Sequence, residues 1–258
     1  MDWFTDLNWT PEPQLLLIVC ATFLLAGYVK GAIGLGLPTV AIAVLTVFVD
    51  LRDSVAIMIL PLIISNLVQT LQGPSLTASL RRFGPMSGTF CVGLWAGTLA
   101  LYAFDPRPMT LGLGTVLIVN TFLGFRFPSL SIPRHREATL SPAVGIVSGL
   151  IGGATGAQGI GIALYLQLLA LDKDDFVQAL GLAFFTSSFF LLGGLLQSGA
   201  FAGQFPALSL AAATATMIGM PLGQRFRDRI PQQTFRRIIL IFLGGLGVNL
   251  IRKTILAF

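Results

Sequence analysis

Residues 26–36 read AGYVKGAIGLG, and residues 148–161 read SGLIGGATGAQGIG. At an offset of 122 positions, Gly27, Gly31 and Gly34 fall on Gly149, Gly153 and Gly156. Each stretch interrupts a long apolar run, and an aspartate pair follows each, Asp50 with Asp53 and Asp172 with Asp175. A duplicated membrane chain with a broken helix in each half is the arrangement expected of a small-solute transporter.

Composition agrees with a membrane setting. Hydrophobic residues make up 54% of the 258 and charged residues 10%, against roughly 25% charged in a soluble domain. The net charge of +5 does not point to nucleic acid, because the cations stand singly between apolar runs and form no basic patch. Cys20 and Cys91 both lie in apolar segments and are read as buried thiols, since a disulfide framework or metal site needs more cysteines at set spacings. The opening MDWFTDLNWTPEPQ is acidic and lacks the basic flank of a signal peptide, so Leu15 onward is expected to stay in the membrane. Trp3, Phe4 and Trp9 suit the interfacial aromatic belt.

Apolar segments lie at about 14–30, 37–49, 54–72, 84–104 and 109–125, then at about 140–151, 160–171, 176–197, 205–224 and 236–256. Most approach the ~20 residues that cross ~30 Å of hydrocarbon; the shorter pieces flank the glycine-rich breaks. No charge lies between Glu137 and Asp172, yet 140–171 as one straight helix would run ~48 Å, too far for one crossing. Loop charge selects between the alternatives. If each broken unit crosses once, Lys and Arg divide seven to eight between the two sides; if each folds back, they divide eleven to four. The positive-inside rule favours the fold-back. Both termini are then outside, the linker and residues 225–237 are cytoplasmic, and the halves are inverted. Arg252 and Lys253 fall on the wrong side of this arrangement.

The expected fold is an all-α membrane protein of two inverted repeats, each with a glycine-broken helical hairpin and about three transmembrane helices, roughly eight to ten membrane segments in all. Residues 1–125 form the first repeat, 126–139 a cytoplasmic linker and 140–258 the second repeat, within a single integral-membrane unit.

The hydrophobic segments contain no carboxylate, and the only histidine, His135, sits in the linker. A membrane-embedded hydrolase or metalloprotease needs paired acid–base groups or a ligand cluster, and a proton relay needs intramembrane ionisable groups. No enzyme activity, cofactor or metal is expected.

Three sets of residues could line a site instead. The breaks come first: Gly31 and Gly34, then Gly153 and Gly156, would expose backbone N–H groups at mid-membrane depth. Helices restarting near Pro38 and Ile160 would aim positive dipole ends at the same place. Glycine also serves close helix packing, which is the competing reading. Lys30 comes second, adjacent to the first break. It either attracts an anion there or snorkels to the headgroups. Third are neutral polar side chains: Ser65, Asn66, Gln69 and Gln72 on one helix, Thr186, Ser187, Ser188 and Gln197 on its repeat counterpart, and Gln158 in the second break. At helical spacing they could serve oxyanion groups or merely bond neighbouring helices.

The segments GYVKGAIGLGLP, SNLVQTLQG and GLIGGATGAQGIGIALYL, with the Asp-rich turns after each break, resemble the sulfite exporter TauE/SafE permease family over nearly the whole chain. The resemblance implies a multi-pass inner-membrane permease that moves sulfite, organosulfonates such as sulfoacetate, or a related small anion. The rival readings are a permease for another small, even neutral, solute and a non-transporting membrane scaffold. The expected partners are the anion and the lipid bilayer; self-association is left open.

The orientation is testable by labelling single-cysteine variants at Ile132 and Asp6 in whole cells. Position 6 is expected to react with an impermeant thiol reagent and position 132 to be protected. Labelling of 132 from outside would refute the charge-derived topology.

Overall fold

A predominantly apolar run carries α1 from Pro13 to Ile33, with proline in its first turn. Gly34 then adopts φ 85° and returns its N–H to the Lys30 carbonyl at 2.7 Å, closing the helix. Only glycine reaches that backbone region without strain. Gly36, at φ 98°, starts α2 (Leu37–Leu45), whose first turn again holds a proline. In the second half α6 (Arg134–Thr155) is followed by Gly159 at φ 75° and α7 (Ile160–Leu168). The computed structural model describes residues 12–101, 107–127, 131–155, 159–197 and 203–256. Its other helices are α3 (Leu51–Gln72), α4 (Leu76–Leu101), α5 (Arg107–Arg126), α8 (Lys173–Gln197), α9 (Phe205–Arg229) and α10 (Gln232–Leu256), and no strand occurs among the described residues.

Among the described residues five helical stretches are long and apolar enough to cross a membrane: Pro13–Ile33, Asp53–Gln72, Lys173–Gln197, Phe205–Arg229 and Gln232–Arg252. Leu111–Arg126 is a shorter apolar helix. The all-helical expectation therefore holds, and both restarts fall within one residue of where the sequence places them. Two details differ. Helix α6 already begins at Arg134, inside the expected linker. Gly31 and Gly153 lie within α1 and α6, so their N–H groups belong to helices and are not exposed by the breaks.

The chain forms two compact units, one taking residues up to Gln69 with Ser188–Arg229, the other Thr70–Ser187 with Ile230–Phe258. The first unit has a fully buried core of Val19, Phe23, Leu37, Leu45, Leu208 and Ala212 on α1, α2 and α9. Each unit repeats one motif: the first helix of one sequence half packs on the fourth helix of the other. In the first unit, a Cβ added at Gly27 or Gly31 of α1 would meet the carbonyl of Thr216 or Met220 of α9. Reciprocally, one at Gly219 or Gly223 would meet the carbonyl of Leu24 or Tyr28. In the second unit Gly149 and Gly153 of α6 stand against the Phe90 and Leu94 carbonyls of α4, and Gly93 and Gly97 against those of Ile146 and Leu150. Lipid tails are as apolar as leucine, so helices in a bilayer associate mainly by such close backbone approach.

Gly31→Val and Gly97→Val should each destabilise the detergent-purified protein by at least ~1–3 kcal/mol, the usual penalty for overpacking. Gly88, with nothing within 4 Å of an added Cβ, supplies the control. Thermal unfolding that ranks Gly88→Val with the other two would remove the packing role.

Candidate functional site

Lys30 occupies the last turn of α1 and is 1% exposed. Its Nζ donates to Asn66 Oδ1 at 2.5 Å, and Asn66 Nδ2 donates to Ser188 Oγ at 3.4 Å. The side chain thus turns into the protein and does not snorkel. Asn66 and Ser188 are separated by 122 residues, the offset of the sequence repeat itself. Positions that correspond in the two halves therefore touch each other.

One turn along α3, Gln69 shares this face with Asn66. Its Nε2 donates to the Lys30 carbonyl at 3.4 Å and the Gly34 carbonyl at 3.3 Å. Helix ends leave carbonyls without an intrahelical partner, and here a side-chain amide serves them. Only the NH2 end of the amide can donate twice, so its orientation is fixed. The other end, Gln69 Oε1, is buried and accepts no hydrogen bond from the described protein.

Sequence reading missed Arg227, which it counted among loop cations. Helix α9 continues to Arg229, and Arg227 in its last turn is 9% exposed, with Nη1 donating to the Gly31 carbonyl at 3.4 Å. The signal was present as spacing: Gly219, Gly223 and Arg227 follow one another at four-residue intervals along the stripe that meets α1. Lys30 and Arg227 thus both sit at helix C-termini, where the macrodipole favours cations. The adjacent Asp228 has a 63% exposed side chain 4.0 Å from Arg227 Nε.

The repeat does not copy this arrangement. Gly152 stands 122 positions after Lys30, and Leu101 stands 126 before Arg227, the offset that also relates Gly93 to Gly219. The second unit carries charge elsewhere. Arg82 of α4 grips Glu137 of α6 through Nε and Nη2 at 2.5 and 2.8 Å. Beside it Ser141 and the Tyr165 hydroxyl of α7 are 2.8 Å apart. At the matching offsets the first unit has Leu208, Leu15 and Val19, all in its apolar cluster.

Of the residues anticipated from sequence, Lys30, Gly34, Asn66, Gln69 and Ser188 come together at the first break. Gly31 joins through its carbonyl. Thr186 and Ser187 belong to the second unit and bond carbonyls of their own helix. Gln72 and Gln197 end α3 and α8 and are exposed. Gly153 packs against α4. Gly156 and Gln158 lie outside the described residues.

A buried lysine and arginine beside a helix break, ringed by amide and hydroxyl groups, can hold an anionic group out of water. No group of three or more metal-binding side chains occurs among the described residues. Searches of curated proteins and of solved structures find no match to this chain. A family model does match, over residues 19–250 and so nearly the whole chain. The chain belongs to the Sulfite exporter TauE/SafE family, and it is a multi-pass membrane protein of a transporter family.

Proposed function

We propose that this protein is a secondary transporter that exports a small anion, sulfite or an organosulfonate such as sulfoacetate, across the inner membrane by alternating access. The observation that carries the reading is the inward-facing Lys30. A lysine that can snorkel keeps its charge in water at little cost; one with 1% exposure, held on Asn66, has given up that hydration. Ionisable groups kept inside a membrane protein mark substrate or ion pathways.

Three further features support it. Arg227 of α9 adds a second cation, bonded to the Gly31 carbonyl, one residue along α1 from Lys30. The break at Gly34 to Gly36 separates two helices by two left-handed glycines, a joint about which α2 can reorient. The loop charges give the chain a cytoplasmic linker and outward termini, the inverted repeats on which alternating access draws. The proposed site comprises Lys30, Asn66, Gln69, Ser188 and Arg227.

Flux of labelled sulfite and sulfoacetate in proteoliposomes tests the proposal. Lys30→Gln removes the charge and keeps hydrogen bonding, and should weaken anion binding by roughly 1.5–3 kcal/mol, the worth of a charged hydrogen bond. Lys30→Arg should retain part of the activity. Wild-type anion affinity in Lys30→Gln would reject the site and leave a neutral-solute permease as the better account.

A further inference from the structure

Gln69 has its donors committed and its acceptor exposed to nothing but the protein interior. Nε2 is held by two backbone carbonyls at the end of α1, so the amide cannot turn over without setting its own oxygen against them. Oε1 is therefore fixed in place, in a residue 2% exposed, with no described protein donor reaching it. An orphaned buried acceptor carries a penalty that a ligand can relieve. It lies three residues from Asn66, the group that holds Lys30 Nζ.

From this geometry we infer that Gln69 Oε1 reads a hydrogen-bond donor on the transported ligand, so that the preferred substrate is an anion bearing its own O–H or N–H. The inference rests on the anion-transport reading and narrows it. The anionic group faces the Lys30 ammonium, while the donor satisfies Oε1 one turn along α3 from Asn66. Sulfite in its singly protonated form meets both demands, as do hydroxy- and aminosulfonates. Fully ionised sulfoacetate offers only acceptors and leaves Oε1 unpaired.

An orphan oxygen can also take an ordered water, which the ligand's donor would displace, or a metal cation. A cation there would stand in the field of the buried Lys30 ammonium, whose like charge opposes it. A donor group on an anion meets no such opposition. Sites built to bond a hydroxyl reject the analogue without it, because the protein group is then left unpaired.

Isethionate and ethanesulfonate differ by one hydroxyl and form the test pair. Their affinities are measured on the purified full-length protein by calorimetry, and confirmed by competition against flux in proteoliposomes. The wild type should bind isethionate roughly ten- to hundredfold tighter. Gln69→Leu should bring the ratio to near one while ethanesulfonate still binds; Gln69→Met, close to glutamine in length, replaces it if the leucine variant does not fold. Equal affinities in the wild type, or a preference that survives loss of the amide, overturn the inference while leaving anion transport standing. Thermal stabilisation by sodium over potassium that disappears in the Gln69 variant would show a cation site and overturn it as well. If neither sulfonate binds nor any anion is carried, the transport reading fails and takes this inference with it.

Discussion

A helix that stops inside an apolar medium leaves carbonyl groups that water cannot reach, and every one of them needs a partner from elsewhere in the protein. The end of α1 obeys this constraint through three different chain segments. The Gly34 N–H folds back on Lys30, Gln69 arrives from α3, and Arg227 arrives from α9. These caps are also the polar residues of the candidate site. Ending the helix and building the site are thus one operation. The polar groups that close the backbone are those gathered with Lys30 at the end of α1.

That operation depends on how near α9 can come. Arg227 reaches Gly31 because Gly219 and Gly223, at four-residue steps along the same stripe, let α9 lie against the backbone of α1. The equivalent contact between α4 and α6 uses the same glycine pattern but places no cation at its end, since Leu101 and Gly152 stand in the matching positions. One scaffold has been made twice and charged differently. In the second unit polarity gathers around Arg82 and Glu137, where the first unit is filled with aliphatic side chains. Glu137 is also the carboxylate that lifts Arg82 further above its already high pKa, chiefly by their hydrogen bond.

Much of the fold was legible because it rests on local chemistry. Left-handed glycines end and restart helices, with Pro38 following at the first break, so the break at Gly34 and the restarts at Leu37 and Ile160 could be read from eleven residues or so of context. The division of labour among the glycines could not. Gly31 and Gly34 are three residues apart, but the first serves packing and the second turns the chain; the distinction is made by Met220, nearly 190 positions away. Arg227 was obscured for a related reason. Hydropathy assigns an arginine to a loop by its charge, and the four-residue spacing of Gly219, Gly223 and Arg227 acquires its meaning only once α1 is known to lie along that stripe. Thr186, Gln72 and Gln197 matched the right residue type at helical spacing, yet spacing alone does not say which face a helix turns toward its neighbours.

The hydrogen bond between Asn66 and Ser188 has an ancestral meaning. If the half-chain once worked as a pair of identical copies, this position would have met its own twin, and a residue facing itself must be a tolerable partner for itself. Serine and asparagine each satisfy that condition, because both donate and accept. Joining the copies into one gene lifts that restriction, because each side of the contact can then change alone. Asn66 and Ser188 now differ: the longer side chain bonds Lys30 as well as its counterpart, and the shorter one accepts from it. The self-meeting residue of a symmetric pair has become the point at which the two halves acquire separate tasks.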